Sequence, residues 1–270
     1  LFKKIILLAV FLTALATNCL AEKRQIALTI DDLPFVGEGA NFHLNMIIDA
    51  INASEIPATG FVIAGKVRPE NWETLHRFEE AGLGIGNHTF THINLDKVDV
   101  DAYIREIDEA DKLLSPVLTE PKYFRYPYLA MSQGNKKNKV LNFLISRNYH
   151  IAPVTIDSKD FIFNQLLLSV QENQRRIFLE TLKPCYLNFI WQQTLKAEQA
   201  NHIRKNNQPQ VLLIHANLLN AYVLPDIIKL YKQNDFTFIS LQEGLKTPST
   251  RLSPTMKRQH ENLDDFVVWD

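Results

Sequence analysis

The residues best suited to chemistry fall in five short groups. The first is Asp31-Asp32, two adjacent carboxylates directly after an apolar run. Side chains alternate along a strand, so at a strand mouth such a pair can point in different directions, one to bind a cation and one to handle a proton. Taken alone, Asp-Asp before a proline-containing loop is more often a turn or a helix cap. The second group is Asn87-His88-Thr89-Phe90-Thr91-His92. Two histidines four residues apart can share one face of a helical turn, a spacing that suits zinc, which takes neutral imidazole nitrogens at about 2.0–2.1 Å. In a chain with 8 histidines that pair alone fits coincidence as well as ligation. Asp32, His88 and His92 together make a two-histidine, one-carboxylate set with positions left for water and substrate, as a catalytic rather than structural metal needs. The other groups are Phe124-Arg125-Tyr126-Pro127-Tyr128, Asp157-Ser158-Lys159-Asp160-Phe161, and His215 behind the apolar Val211-Leu212-Leu213-Ile214. Singly, Arg125 reads as a surface ion pair, Asp157 or Asp160 as a helix cap, and His215 as a hydrogen-bonded structural residue.

Seven β-rich runs must position these groups: residues 25–30, 58–63, 84–87, 122–125, 151–156, 210–215 and 236–240. Helical patterns lie between them. Asn71 is placed to cap the stretch 72–81, and Asp101 to open 102–114, where Tyr103, Ile107, Ala110 and Leu114 recur at helical spacing. Strand–helix alternation predicts a parallel sheet, and seven units in about 215 residues fit a distorted (β/α) barrel, whose functional groups gather at the carboxyl ends of the strands. All five groups fall at such ends. Residues 164–206 form a long helical insertion, with Pro184 expected to break it and Phe178, Tyr186, Phe189 and Trp191 expected mainly in the core.

The ends of the chain read differently. Lys3-Lys4, an apolar stretch from Ile5 to Ala16 and small residues at Cys19 and Ala21 have the layout of a secretory signal peptide over residues 1–21, cleaved after Ala21. Lipidation at Cys19 is the alternative. The apolar run is shorter than the roughly 20 residues that span a bilayer, so the mature chain carries no expected membrane span. Residues 247–270 read as a poorly ordered tail without assigned function. The 29 basic and 30 acidic residues leave a net charge of -1, so no basic field favours nucleic acid. Of 2 cysteines only Cys185 lies outside the leader, which excludes an intrachain disulfide in the mature chain. His43, His76, His150, His202 and His260 are read as structural or solvated.

Five groups in this order resemble the motifs of the NodB-homology polysaccharide deacetylases, carbohydrate esterase family four. Residues 29–34 resemble T-F-D-D-G-P, residues 87–92 the H-[ST]-x-x-[ST]-H region, residues 125–128 R-x-P-Y, residues 157–161 D-S-x-D-W, and residues 213–215 L-x-H. The resemblance runs from about residue 26 to 245, within a domain placed at 22–246. Three positions depart from it: Leu33 stands for Gly, Phe161 for the Trp that walls the acetyl pocket, and Ala216 follows His215 where many members have Asp.

What the resemblance implies is a NodB-type barrel that hydrolyses N-acetyl groups of amino-sugar glycans of the peptidoglycan or chitin N-acetylglucosamine type. It implies a divalent metal, zinc by expectation, on Asp32, His88 and His92, with Asp31 as general base oriented by Arg125 and His215 as general acid tuned by Asp160. Tyr128 would offer its backbone N–H to the oxyanion, and Phe161, Leu213 and Pro127 would line the substrate pocket. The partner is then an N-acetylated glycan, and the protein is exported, periplasmic or secreted. Open alternatives are hydrolysis of another carbon–nitrogen amide or of an O-acetyl ester, a non-catalytic glycan-binding relative, and a purely structural metal site. The oligomeric state has no signature in the sequence.

Overall fold

The computed structural model describes residues 24–37, 39–205 and 207–246, so the expected leader and tail lie outside the described residues. Among the described residues, eight parallel strands form one sheet. They are β1 (Arg24–Val36), β2 (Ala58–Val62), β3 (Gly84–Asn87), β4 (Tyr123–Phe124), β5 (His150–Ile151), β6 (Ile156–Asp157), β7 (Gln210–Asn217) and β8 (Phe236–Phe238). The order is β5-β4-β3-β2-β1-β7-β6, with β8 also paired to β1. Around the sheet lie α1 (Ala40–Ala53), α2 (Trp72–Glu80), α3 (Val100–Leu114), α4 (Gly134–Ser146), α5 (Asp160–Ser169), α6 (Glu172–Ile203), α7 (Leu218–Gln233) and the short α8 (Leu241–Gly244). This is the curled, incomplete (β/α) barrel that the strand–helix alternation predicts.

The fifth expected strand is where the barrel departs from the expected pattern. Residues 151–156 do not form one strand: β5 pairs with β4 at one edge of the sheet and β6 pairs with β7 at the other. One chain segment thus touches both edges. Its middle cannot continue a ladder, because Pro153 has no N–H and the carbonyls of Ala152 and Pro153 accept hydrogen bonds from Arg125 Nε (3.0 Å) and Nη2 (3.3 Å) instead.

Both faces of the sheet are buried. On β1, Ile26, Leu28 and Ile30 belong to the large core under the helices, whereas Ala27 packs inside the barrel with Phe61, Tyr123, Ala152 and Val211. Alternation places Thr29 and Asp31 on that inner face too, where Thr29 is fully buried. Small residues there leave room for the guanidinium of Arg125, only 1% exposed, over the Phe61 ring at 4.7 Å.

The helices follow their apolar spacing, with corrections at three ends. Helix α3 buries Tyr103, Ile107, Ala110 and Leu114, but its cap is Asp99, which accepts from the N–H groups of Asp101 and Ala102, so the helix begins before Asp101. Asn71 does not cap α2; its Oδ1 accepts from the Arg68 N–H at 2.8 Å and closes the preceding turn. The insertion is α5 plus the 32-residue α6, which runs unbroken through Pro184. Proline removes one donor and crowds the carbonyl four residues earlier, here on Glu180. Both residues sit on the exposed side of α6, where water can serve that carbonyl, while Leu182, Tyr186, Ile190, Thr194 and Ala197 form its buried stripe. As expected, Tyr186 is core; Phe178 and Trp191 pack at its margin. No helix among the described residues is long and apolar enough to cross a membrane.

Candidate active site

Strand register brings the five groups together. Asp31 lies opposite His215, Val62 opposite Asn87, Asn87 opposite Phe124, and Asp157 opposite Leu213. His215 stands two residues inside the end of β7 rather than at it. The register of β1 shifts between Ile30 and Leu33 against β2, and between Asp31 and Val36 against β7. Asp32 sits in that irregularity at φ 66°, a left-handed conformation uncommon for a residue with a Cβ. Such a bulge re-aims a side chain. Both carboxylates therefore face the same imidazole: His88 Nε2 lies 3.8 Å from Asp31 Oδ2 and 3.5 Å from Asp32 Oδ1.

The histidine pair is not on a helical face. Residues 88–92 form a loop with left-handed backbone at Thr89 (φ 66°) and His92 (φ 63°). Two local bonds hold it: Thr89 N–H to Asn87 Oδ1 at 2.8 Å and His92 N–H to Thr89 Oγ1 at 3.0 Å. Asn87 is itself anchored by Nδ2 donating to Ile107 O and to the Tyr149 hydroxyl. The turn delivers His92 Nε2 to 3.3 Å from Asp32 Oδ1.

These three side chains fit a cation. Each offers one ligand atom, and all three atoms lie within 4.8 Å of one another. Tetrahedral ligands about 2.1 Å from an ion are about 3.4 Å apart, close to the two His–Asp separations. Asp32 Oδ1 is buried yet makes no hydrogen bond, an orphan acceptor that a cation would satisfy. His88 Nδ1 is 2.8 Å from the Arg125 carbonyl, which only accepts, so the proton is on Nδ1 and the Nε2 lone pair faces the cluster. Burial, with His88 beside it, pushes the His92 imidazole down to about 4, keeping it neutral as a ligand must be. Burial works against the Asp32 charge, but His88, His215 and His92 outweigh it and hold the carboxyl well below the usual carboxylate range.

Two hydrogen-bonded ion pairs adjoin the cluster. Asp31, 2% exposed, lies against Arg125, whose Nη1 is 3.4 Å from each carboxylate oxygen and whose Nη2 donates to Thr29 Oγ1 at 3.1 Å. Burial draws the Arg125 pKa down and Asp31 opposes it. A guanidinium keeps its proton regardless. Arg125 is thus an interior ion pair, not a surface one. In the second pair, His215 Nδ1 is 2.6 Å from Asp160 Oδ1, and the His215 N–H donates to Asp160 Oδ2 at 2.7 Å. Asp160 is fully buried and also accepts from Asn217 Nδ2 and Asn220 Nδ2. Burial disfavours the imidazolium of His215, yet Asp160, Asp31 and Asp32 overcome it and push the group up to about 10.

A cleft of about 540 Å³ opens over Asp31, Asp32, His88, His92 and His215 and is lined further by Tyr128, Phe161 and Leu213. Tyr128 adopts φ 58° in the turn Pro127–Leu129, and its ring packs 4.6 Å from that of His92. Phe161 is half exposed, its ring perpendicular to that of His215. Leu213 and Pro127 are buried, Leu213 in the cleft wall and Pro127 within the turn that carries Tyr128. Asp157 caps no helix; it ends β6, accepts from the Lys159 N–H and pairs with the Lys159 ammonium at 2.9 Å. Leu33, in the expected glycine position, is fully buried over Gly60. Sequence reasoning missed Thr29, Asn217 and Asn220, although alternation put Thr29 on the face of Asp31 and Asn217 has the residue type of a helix cap.

Fold and site together define an α/β-barrel protein with a cation-ready Asp-His-His cluster that shares one cleft with a buried carboxylate and a carboxylate-bonded histidine, toward the carboxyl ends of its strands. Residues 20–144 match the sequence model described as polysaccharide deacetylase. The chain is 29% identical over 147 residues to a chitin deacetylase of Colletotrichum lindemuthianum, covering 52% of this chain and 54% of that protein. It is 29% identical over 140 residues to a peptidoglycan-N-acetylglucosamine deacetylase of Bacillus cereus, covering 52% of this chain and 47% of that one. The matched stretch thus spans about half the length of these relatives. A solved peptidoglycan N-acetylglucosamine deacetylase superposes with a TM-score of 0.58 at 23% identity, over 85% of this chain and 91% of the other. That likeness shows the fold. The family match ends before residues 157–161 and 213–215, which the barrel topology brings to the same mouth.

Proposed function

We propose that this chain is a metal-dependent hydrolase that removes N-acetyl groups from amino-sugar glycans of the peptidoglycan or chitin N-acetylglucosamine type. The observation that carries the reading is that Asp31, His215 and the Asp32-His88-His92 cluster line one cleft, with Arg125 bonded to Asp31 and Asp160 to His215 behind them. The names of the relatives support the substrate class.

A divalent ion, zinc by donor type, held on Asp32, His88 and His92 would supply Lewis acidity and lower the pKa of water at the site. The remaining steps belong to the protein's own groups. Asp31 takes the proton of the attacking water, and Arg125 fixes the carboxylate for that task. The Tyr128 N–H receives the oxyanion that forms at the acetamide carbonyl. His215 gives its proton to the departing sugar amine, with Asp160 holding the ring at Nδ1 so that Nε2 is the donor. Phe161 and Leu213 take the acetyl methyl, a small apolar contact in line with about 1–3 kcal/mol of discrimination per methylene. The leader pattern supports an exported protein that meets glycan outside the cytoplasm.

The experiment is acetate release from N-acetylglucosamine oligomers and peptidoglycan fragments, with zinc and after chelation. Release that stops on chelation and returns with zinc is expected. Folded, zinc-loaded protein that releases no acetate from either overturns the reading.

A further inference from the structure

Helix α6, between β6 and β7, lies outside all five motifs, yet one of its residues reaches the acid end of the site. Tyr186, fully buried on α6, donates its hydroxyl proton to Asn220 Oδ1 at 2.9 Å. Asn220, also fully buried, uses its Nδ2 twice, toward Asp160 Oδ2 and toward the His215 carbonyl at 2.9 Å. Its orientation is forced: flipping the amide would set Oδ1 against a carboxylate and a carbonyl, neither of which can donate. Asp160 in turn holds the His215 ring at Nδ1 and its backbone N–H. A chain of hydrogen bonds therefore runs from the insertion helix to the imidazole, and every polar atom along it is satisfied. The helix is itself fastened to α7, where Thr194 Oγ1 lies 2.7 Å from the Tyr231 hydroxyl. Salt-bridged Arg24 and Glu198, 2.5 Å apart, tie it to the start of β1.

We propose that Tyr186 is a positioning residue for the reaction: through Asn220 it fixes the Asp160 carboxylate and hence the direction of His215 Nε2. Helix α6 is then a strut for the proton donor. The proposal rests on His215 being the acid of the deacetylation. Removing the hydroxyl leaves the metal cluster and the cleft unchanged, so it acts on kcat and not on zinc or glycan binding.

The test compares the full-length wild type with Tyr186→Phe, Asn220→Ser and the double variant, all zinc-loaded. Tyr186→Phe is expected to lower kcat about 10-fold, the low end for a second tier of hydrogen bonds, with KM and zinc affinity unchanged. Asn220→Ser is expected to give a loss at least as large, and the double variant no more than Asn220→Ser alone. Losses that multiply overturn the proposal. An independent readout is the downfield Nδ1–H proton resonance of His215, assigned with His215→Gln, which is expected to broaden or move upfield in Tyr186→Phe. A sharp, unmoved resonance with unchanged kcat overturns the proposal. So does a kcat loss that tracks a fall in melting temperature while the resonance stays put. If Tyr186→Phe does not fold, Asn220→Ser alone decides by the same two signals. If the wild type releases no acetate, the functional reading falls, and the resonance still shows whether Tyr186 holds the ring.

Discussion

Asp31 and Asp32 are neighbours in different surroundings, which suit them to the different roles proposed for them. Asp32 Oδ1 is an orphan acceptor facing two imidazoles, whereas both oxygens of Asp31 face Arg125. Asp31→Asn should therefore keep zinc affinity near the wild-type value and lower the acetate-release rate by about 10²–10⁴, the usual worth of a positioned base. Calorimetric zinc titration beside the rate assay checks both halves, and a variant with near-full rate would remove Asp31 as base. His215 leads to a pH expectation. Its folded pKa, pushed up to about 10, exceeds the roughly 6.5 of an unfolded histidine, so the folded state binds the proton more tightly. That contribution to stability is complete below about pH 6.5 and is lost as the pH rises through about 10. Urea unfolding of metal-free protein at pH 6, 8 and 10 should show the decline, and His215→Gln should flatten it. Equal slopes in both proteins would contradict the assignment.

At the scale of elements, what was legible in the sequence is what alternation and spacing encode. The stripe of α3 and six of the seven runs follow from side-chain periodicity, and the motifs lie toward the carboxyl ends of their strands, although Asp31, Asp32 and His215 stand inside β1 and β7 rather than past them. The rest depended on contacts between distant segments. Nothing local marks the bulge at Asp32, because it arises from the register of β1 against two neighbours at once. The loop at residues 88–92 holds its histidines together by left-handed backbone at Thr89 and His92, where the spacing alone suggested a helical turn. Pro184 looked like a stop, and tertiary packing of the opposite face of α6 overrode it. Gly86 shows how tightly β3 is fitted under the site. A Cβ there would stand 2.6 Å from Phe61 Cε1 and 2.8 Å from the Tyr123 carbonyl oxygen. Phe61 has nowhere to retreat, since the Arg125 guanidinium lies on its ring. Gly86→Ala should cost about 1–3 kcal/mol by overpacking and lower activity through a displaced Arg125. Denaturant melts and the rate assay report the two effects, and unchanged values would refute this account of the close approach.

The whole molecule raises the question of what the cation does for the fold. The barrel is held from within by protein groups: Arg125 reaches Asp31 and Thr29 on β1 and the carbonyls of Ala152 and Pro153 on the segment that touches both sheet edges. The large core spans β1, β2, β3, β7 and the helices around them, and it needs no ligand to form. A chain with this much buried apolar surface has no need of a metal staple, unlike the small domains that unfold without zinc. The cluster instead leaves one unsatisfied acceptor, Asp32 Oδ1, a local cost that a bound ion offsets. Zinc at about 100 times its dissociation constant should add about 2.7 kcal/mol by mass action, or roughly 5–10 °C in melting temperature for a domain of this size. Chelated wild type should still melt in a single cooperative transition with its far-ultraviolet dichroism unchanged. Asp32→Ala should melt near the chelated protein and gain nothing from zinc. If chelation or Asp32→Ala left the chain unfolded at 25 °C, the metal would be a structural staple, and the assignment of Asp32, His88 and His92 to catalysis would fall with it.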